Sequence, residues 1–260
     1  MPDDVILEGQ HLRKAFGGLL AVADVNLRVR AGTFHSIIGP NGAGKTTLFN
    51  LLSRNLDVTS GRIVFKGREI TRLPVHRTAH LGLGRSFQIT NVFPNLTTLE
   101  NVRLACQAMG PHSFHFWRDH RALRQYETRA WEVLEAVGLT ERALQPAGSL
   151  PHGDQRRLEL GMILAPNPQV LLLDEPTAGM AGEHVPELMG LIRNIQSEDR
   201  KTVLLVEHNM GVVMSASDFI TVMHQGAVLA EGTPAEIAAN KTVQSAYLGE
   251  LYGDLSRRRL

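Results

Sequence analysis

The spacing of hydrophobic residues divides the chain into three parts. Alternating apolar stretches between glycine turns predict strands over residues 5–16, 21–29 and 61–67. From residue 89 to about residue 150, apolar positions recur at helical spacing instead. Farther on, the uninterrupted apolar runs 170–173 and 202–206 are typical of strands buried in a parallel sheet. The pattern therefore predicts an α/β fold with a separate helical region.

The remaining elements are predicted from the same periodicities. A helix over 98–109 precedes one over 121–137, which Gly138 would end. The apolar side of the second helix carries Tyr126, Ala130, Trp131, Val133, Leu134 and Val137. Later segments predict helices over 156–164, 183–196 and 234–238, and a strand hairpin over 219–224 and 227–231.

A glycine-rich segment joins the apolar run 34–38 to the start of a predicted helix. It matches the phosphate-binding pattern G-x-x-x-x-G-K-[ST] and consists of Gly39, Pro40, Asn41, Gly42, Ala43, Gly44, Lys45, Thr46 and Thr47. Glycines let the backbone approach phosphate oxygens, and the helix N-terminus supplies donors and a positive dipole end. Lys45 would reach the β- and γ-phosphates of ATP, and the Thr46 hydroxyl would hold Mg²⁺. The alternative is a glycine-rich turn that binds nothing.

Polar side chains at the ends of predicted strands suit a metal–phosphate site. One apolar run is followed by Asp174, suited to the Mg²⁺ shell, and by Glu175, suited to polarise an attacking water. His208 follows the next such run, at the strand end where parallel sheets bind ligands. Gln88 ends a short predicted strand, and its amide oxygen could join the metal shell. The alternatives are a helix cap for the acidic pair and an ordinary surface position for Gln88.

Phe16 stands among polar neighbours just before the turn at Gly17 and Gly18. It is either a packed aromatic at a sheet edge or a platform on which adenine stacks, an interaction worth ~1–3 kcal/mol for base–aromatic pairs. Spacing favours neither interpretation.

Composition narrows the classes of function. The chain has 260 residues and a net charge of +1, from 27 basic and 26 acidic side chains, which gives no electrostatic reason to expect nucleic-acid binding. The single cysteine, Cys106, excludes an internal disulfide and favours a reducing compartment. No apolar run approaches the length of about 18 residues that a membrane span needs, and the acidic start does not look like a signal peptide. We therefore expect a cytosolic protein, for which docking on a membrane partner stays open.

Together these motifs resemble the ATP-binding subunit of an ABC transporter over residues 5–249. The resemblance rests on the phosphate loop, Gln88, the segment 150–155, the Asp174-Glu175 strand end with 176–180, and His208. It implies an α/β P-loop cassette with a mixed sheet core, an antiparallel β subdomain and an α-helical subdomain. In this single cassette, 1–88 and 165–249 would form the RecA-like core with the β subdomain. Residues 89–164 would form the helical subdomain with the signature segment, and 250–260 a tail.

More narrowly, the segments 16–22 and 246–249 look like those of importer ATPases for branched-chain amino acids. The long region 89–150 fits that branch too. ATPases of urea and amide importers are close neighbours, and the lipopolysaccharide-export ATPase is similar. The resemblance therefore implies an ATPase that powers uptake of branched-chain amino acids or of related small polar solutes.

The resemblance also implies roles for the matched residues. Phe16 would stack on adenine, and Mg²⁺ would be held by Thr46, Gln88 and Asp174. Lys45 would bind the phosphates while Glu175 activates the attacking water. His208 would contact the γ-phosphate and link it to Glu175. The segment that closes over ATP held by a second ATPase subunit, identical or different, would be Leu150, Pro151, His152, Gly153 and Asp154. The aromatic-rich parts of the helical region, 92–94 and 114–117, would meet permease subunits at the cytoplasmic face of the membrane. A solute-binding protein outside the membrane would act only indirectly.

Three positions depart from the family pattern. Position 151 usually carries a small hydroxyl residue or alanine and here is Pro151, while His152 replaces a glycine and Ala181 stands where an aspartate is common. These departures concern the strength of the contacts between two ATPase subunits rather than the fold.

Two other classes of protein are the alternatives. A soluble or export-type ABC ATPase, such as one for DNA repair or lipopolysaccharide export, shares the motifs, but tandem cassettes, coiled-coil insertions and basic surfaces are missing from this sequence. A P-loop kinase would not need the segment 150–155 or His208, and it would require a phosphate acceptor.

Overall fold

The computed structural model describes residues 4–86, 92–108 and 120–246, with side chains omitted for 120–123. Gln88, the aromatic segment 114–117 and the predicted tail 250–260 lie outside the described residues. The elements in chain order are β1 (Val5–Phe16), β2 (Leu19–Arg30), β3 (Phe34–Ile38), α1 (Lys45–Leu52), β4 (Ser60–Phe65), β5 (Arg68–Glu69), α2 (Val75–His80), β6 (Leu83–Arg85), α3 (Thr98–Ala108), α4 (His120–Ala136), α5 (His152–Leu164), β7 (Val170–Asp174), α6 (Val185–Glu198), β8 (Thr202–Val206), α7 (Met210–Ala216), β9 (Phe219–His224), β10 (Ala227–Gly232) and α8 (Pro234–Ala239).

A six-stranded sheet forms the centre, in the order β10-β9-β3-β8-β7-β6. Strands β9, β3, β8, β7 and β6 run parallel, and only the edge strand β10 pairs antiparallel. Every residue of β3, β7 and β8 is buried, because helices cover both faces of the sheet. The alternation of side chains is clear in β7, where Leu171 and Leu173 join one hydrophobic cluster and Val170 and Leu172 join another.

A four-stranded antiparallel sheet, in the order β2-β1-β4-β5, packs against the α1 face of the central sheet. In β2 the apolar side chains of Val25, Leu27 and Val29 are buried while Asn26, Arg28 and Arg30 are exposed. This alternation is the one expected for a sheet with one solvated face. The α/β class, with a mixed central sheet and an antiparallel sheet beside it, is confirmed.

Helices α3, α4 and α5 form the helical region between β6 and β7. Five of the six residues predicted on the apolar side of α4 are buried, but Trp131 is 39% exposed, so that part of the prediction is wrong. Successive helical residues are rotated by about 100°, which turns position 131 away from the face shared by Ala130 and Leu134. Gly138 has a φ of +69° just after α4, as expected for a helix-ending glycine.

Several element boundaries differ from the prediction. Helix α5 begins at His152 rather than at residue 156, because Pro151 takes the extended N-cap position and leaves the following residues free to turn. Strand β2 extends to Leu19, two residues before the predicted start, and α6 begins at Val185 with a proline in its first turn. Within the described ranges, no helix is both long and apolar enough to cross a bilayer. The division of the chain into subdomains stays a prediction.

Candidate nucleotide-hydrolysis site

The predicted phosphate loop connects the carboxyl end of β3 to the first residue of α1. Two of its glycines are required by close backbone approaches. A Cβ on Gly39 would lie 2.2 Å from the Met223 carbonyl oxygen, and one on Gly44 would lie 2.4 Å from that of Ala21. Any side chain there would displace β9 or β2, so the loop can pack between them only as glycine.

Lys45 is buried at the start of α1 with its ammonium turned back over the loop. Its Nζ donates to the carbonyl oxygens of Gly39, at 2.7 Å, and Pro40, at 2.8 Å. Asn41 and Gly42 are exposed, whereas Thr46 and Thr47 are half-buried in the first turn of α1. A cation and the N-terminal end of a helix therefore converge where the pattern predicts phosphate.

Asp174, the last residue of β7, carries two buried carboxylate oxygens that no described residue hydrogen-bonds. Its backbone N–H donates to Ser86 Oγ at 2.9 Å, which fixes the strand end beside β6. Burial, and then the neighbouring Glu175 carboxylate, raise the pKa of Asp174 from 3.8 to about 6, although Arg85 and Lys45 oppose the shift. Buried carboxylates without partners are expensive, and hard oxygen donors of this kind suit a divalent cation.

Glu175 adopts a left-handed backbone conformation, with a φ of +48°, which is rare for a residue with a side chain. Its N–H donates to the Val206 carbonyl at 2.9 Å, and its side chain is 34% exposed. His208 Nδ1 lies 3.8 Å from Glu175 Oε1. Strained residues of this kind cost about 1–3 kcal/mol and cluster at functional sites. The turn directs the carboxylate out of the sheet and toward His208.

Phe16 ends β1 opposite Leu19, and its ring is 47% exposed. This exposure excludes a position in the hydrophobic core but does not decide between edge packing and adenine stacking, so the stacking role stays a prediction. Leu19 precedes Ala21 by two residues, and the Ala21 carbonyl is the group that packs against Gly44 of the phosphate loop. The Nζ of Lys14 lies 5.1 Å from the centre of the Phe16 ring. An exposed aromatic face thus lies at the hairpin end nearest the phosphate loop.

The segment 150–154 is held by the helical region and by the loop that follows β7. Asp154 forms an ion pair with Arg142 at 2.7 Å, and the His152 ring lies 3.6 Å from the position of a Cβ on Gly179. Leu150 is buried, whereas Pro151 and His152 are exposed. Its exposed residues are consequently available to a second molecule.

Sequence reasoning missed four residues that shape the site. Ser86 supports Asp174, and Arg85 donates to Asn50 Oδ1 and Ser53 Oγ, each at 2.5 Å, which links β6 to α1. Glu207 and Thr177 hydrogen-bond each other between the ends of β8 and β7. Only their positions beside motif residues could have indicated them, since each interaction joins segments far apart in sequence.

A phosphate loop and an acidic pair at the carboxyl edge of a largely parallel sheet define a P-loop nucleoside triphosphatase. The family model described as ABC transporter matches residues 22–178, and that described as Branched-chain amino acid ATP-binding cassette transporter matches residues 227–252. The chain belongs to the ABC transporter ATP-binding family, and it binds and hydrolyses ATP.

Curated relatives match almost the whole chain. The high-affinity branched-chain amino acid transport ATP-binding protein BraF of Pseudomonas aeruginosa is 45% identical over 253 residues, covering 94% of this chain and 98% of that protein. LivG of Escherichia coli, with the same description, is 40% identical over 250 residues, covering 94% and 98%.

Solved structures agree with the fold. The ADP conformation of an ATP-binding cassette of an ABC transporter has a TM-score of 0.83 at 28% identity, covering 94% of this chain and 99% of that one. The dimeric structure of a bacterial ABC transporter cassette has a TM-score of 0.74 at 27% identity, covering 88% and 99%. The export, DNA-repair and kinase alternatives receive no support from these relatives.

Proposed function

We propose that the protein powers uptake of branched-chain amino acids, or of related small polar solutes such as urea or amides, as the ATPase subunit of an importer. The observation that carries the solute class is the 45% identity to a transport ATP-binding protein for branched-chain amino acids over nearly the full length of both chains. The match at residues 227–252 to the branched-chain amino acid cassette model supports the same class. The subunit would act at the cytoplasmic face of the membrane without spanning it.

The proposed chemistry begins with the placement of ATP. Phe16 stacks on adenine, while the loop from Gly39 to Thr47 wraps the phosphates and Lys45 exchanges its carbonyl partners for phosphate oxygens. Thr46 and Asp174 suit Mg²⁺, which when bound would neutralise charge on the phosphate oxygens. The unpartnered oxygens of Asp174 support this assignment. Gln88, two residues beyond Ser86, is proposed as a further metal-shell residue.

Glu175 is proposed as the general base that takes a proton from the attacking water. His208, with Nδ1 at 3.8 Å from the Glu175 carboxylate, would contact the γ-phosphate and hold the two groups in register. The segment 150–154, through its exposed residues Pro151 and His152, would close over ATP bound to a second ATPase subunit, so that hydrolysis requires a dimer. Closure on ATP and release after hydrolysis would drive transport.

A groove between the helical region and the central sheet is the proposed seat of the permease. It encloses about 260 Å³ and is lined mainly by apolar side chains of α2, β6 and α5, among them Val75, Leu83 and Met162. Ser86 also lines the groove, and its hydroxyl accepts a hydrogen bond from the backbone of Asp174. A segment docked in the groove would therefore contact a residue that is bonded directly to the hydrolysis site.

The experiment for the transport assignment uses a cell in which the gene for this chain is deleted. Uptake of radiolabelled leucine should fall and should return with the wild-type chain but not with Lys45→Ala. Normal leucine uptake together with lost urea or amide uptake would assign the importer to urea or amides instead of branched-chain amino acids. Unchanged uptake of all three solutes would contradict the importer assignment.

A further inference from the structure

Glu207 is a fully buried carboxylate that the proposed mechanism leaves without a role. It follows β8 directly and accepts three hydrogen bonds. Its Oε1 accepts one from Thr177 Oγ1, and its Oε2 accepts one each from the backbone N–H groups of His208, at 3.0 Å, and Asn209, at 3.2 Å. A buried acid is costly unless donors surround it, and here the donors come from two separate loops.

These hydrogen bonds tie the loop after β8 to the loop after β7. On the β8 side, Glu207 fixes the backbone from which the His208 ring extends, and that ring lies 3.8 Å from both Glu207 Oε2 and Glu175 Oε1. On the β7 side, Thr177 is buried two residues beyond Glu175. The carboxylate therefore sets the distance between His208 and the strained turn at Glu175.

The loop after β7 also lies next to the N-terminal part of α5 and the segment 150–154, whose exposed residues are available to a second subunit. Ala178, next to Thr177, accepts a hydrogen bond from Arg156 Nη2 at 3.2 Å, and the His152 ring lies 3.6 Å from the position that a Cβ on Gly179 would take. A continuous path of contacts thus runs from His208 through Glu207 and Thr177 to α5. Of the residues on this path, only His208 and His152 have a role in the proposed chemistry.

We propose that Glu207 is a positioning residue that, through Thr177, holds His208 in register with Glu175 and couples it to the loop beneath the segment 150–154. The proposal rests on the proposed hydrolytic roles of Glu175 and His208. A shifted ring would lose its contact to the γ-phosphate without altering how ATP is held by the loop 39–47. Loss of this positioning should therefore lower kcat and leave the affinity for ATP nearly unchanged.

The experiment removes the link at Thr177, since Thr177→Val keeps the shape of the side chain and deletes the hydroxyl donor. We expect kcat to fall about tenfold with KM changed less than about twofold, because positioning acts on the transition state. Thr177→Ser, which keeps the hydroxyl, should restore most of the wild-type kcat. Thr177→Ala serves as the second deletion if the valine variant does not fold.

The decisive comparison repeats the substitution in a His208→Ala background. If Thr177 acts through His208, Thr177→Val should lower kcat no further there, so that the two effects are not additive. An equal fall in both backgrounds, or a failure of Thr177→Ser to restore kcat, would overturn the proposal. Wild-type hydrolysis by His208→Ala would instead overturn the proposed hydrolytic role of His208, on which this inference rests. A collapse with His208→Ala and no effect of Thr177→Val would overturn only the role of Glu207.

Discussion

At the residue scale, Asp174 is the side chain of the site whose ionisation is most strongly disfavoured by its surroundings. Burial and the adjacent Glu175 raise its pKa to about 6, and its oxygens have no hydrogen-bond partner among the described residues. Because its pKa in the folded state lies above the ordinary value of 3.8, the folded protein binds this proton more tightly than the unfolded chain. Ionisation of Asp174 therefore destabilises the folded protein. This loss of stability is complete above about pH 6 and disappears below pH 3.8, where the side chain is protonated in both states.

The first prediction concerns this penalty. Asp174→Asn removes the charge and should raise the melting temperature near neutral pH by a few degrees, a shift typical of about 1 kcal/mol or slightly more. The gain should shrink as the pH falls through about 6 and disappear toward 3.8. Melting curves of both proteins across this range check it, with Glu198→Gln, an exposed carboxylate, as the control. A gain that is equal at all pH values would contradict the assigned cause.

The second prediction concerns Phe16, which is 47% exposed at the end of β1. Phe16→Ala should weaken ATP binding by ~1–3 kcal/mol, because a base–aromatic stack is lost. Titration with a fluorescent ATP analogue measures the change. Leu19→Ala, on the opposite strand and 68% exposed, is the matched control and should bind ATP normally. Equal affinities of wild type and Phe16→Ala would remove the stacking role.

At the element scale, the N-terminus of α5 differs most from the family pattern. Pro151 occupies the N-cap with no side-chain hydrogen bond, and it supplies neither a hydroxyl nor an N–H. Serine at this position would add a donor toward a γ-phosphate of the opposite subunit. Proline should therefore make this chain a weaker partner in closing over ATP.

The third prediction follows from that departure. In a Glu175→Gln background, Pro151→Ser should tighten ATP-dependent dimerisation about tenfold or more, as expected for a charge-assisted hydrogen bond of ~1.5–3 kcal/mol. Pro151→Ala restores the N–H without the hydroxyl and is the control. Sedimentation with and without ATP measures the dimer. Equal dimerisation of the serine and alanine variants would show that the hydroxyl does not matter.

The fourth prediction concerns permease docking. Phe93 is 53% exposed in a loop that Asn101 anchors through bonds to its backbone, and Val75 is 41% exposed at the groove. Phe93→Glu and Val75→Glu should each abolish co-purification with the permease while ATP binding persists, since a charge would be buried on docking. Leu144→Glu, on a 76% exposed residue of the helical region, is the control. If either variant still co-purifies with the permease, the substituted residue does not take part in docking.

How far the sequence could predict these elements depends on how local their causes are. Strands β7 and β8 follow from the apolar runs 170–173 and 203–206, and the phosphate loop follows from residues adjacent in sequence. Trp131 was predicted wrongly because a helical face depends on which neighbours pack against it. The roles of Ser86 and Glu207 depend on hydrogen bonds to Asp174 at the end of β7 and to Thr177 in the loop after it, 88 and 30 positions away, which no local pattern contains.

At the scale of the whole molecule, the site is divided between two faces. The phosphate loop, Asp174 and Glu175 lie at the carboxyl edge of the central sheet, whereas the exposed residues of 150–154 belong to the helical region. A similar cassette has been solved as a dimer. We therefore expect ATP to join two subunits and hydrolysis to separate them.

The most direct measurement is hydrolysis by Glu175→Gln together with its assembly state. This variant keeps the side-chain size and removes the base, so that hydrolysis should fall by ~10²–10⁴-fold. ATP should still bind and should hold the protein as a stable dimer. Glu183→Gln, a highly exposed carboxylate just beyond the same loop, is the control and should hydrolyse ATP normally. Hydrolysis by Glu175→Gln within about threefold of wild type would contradict the account.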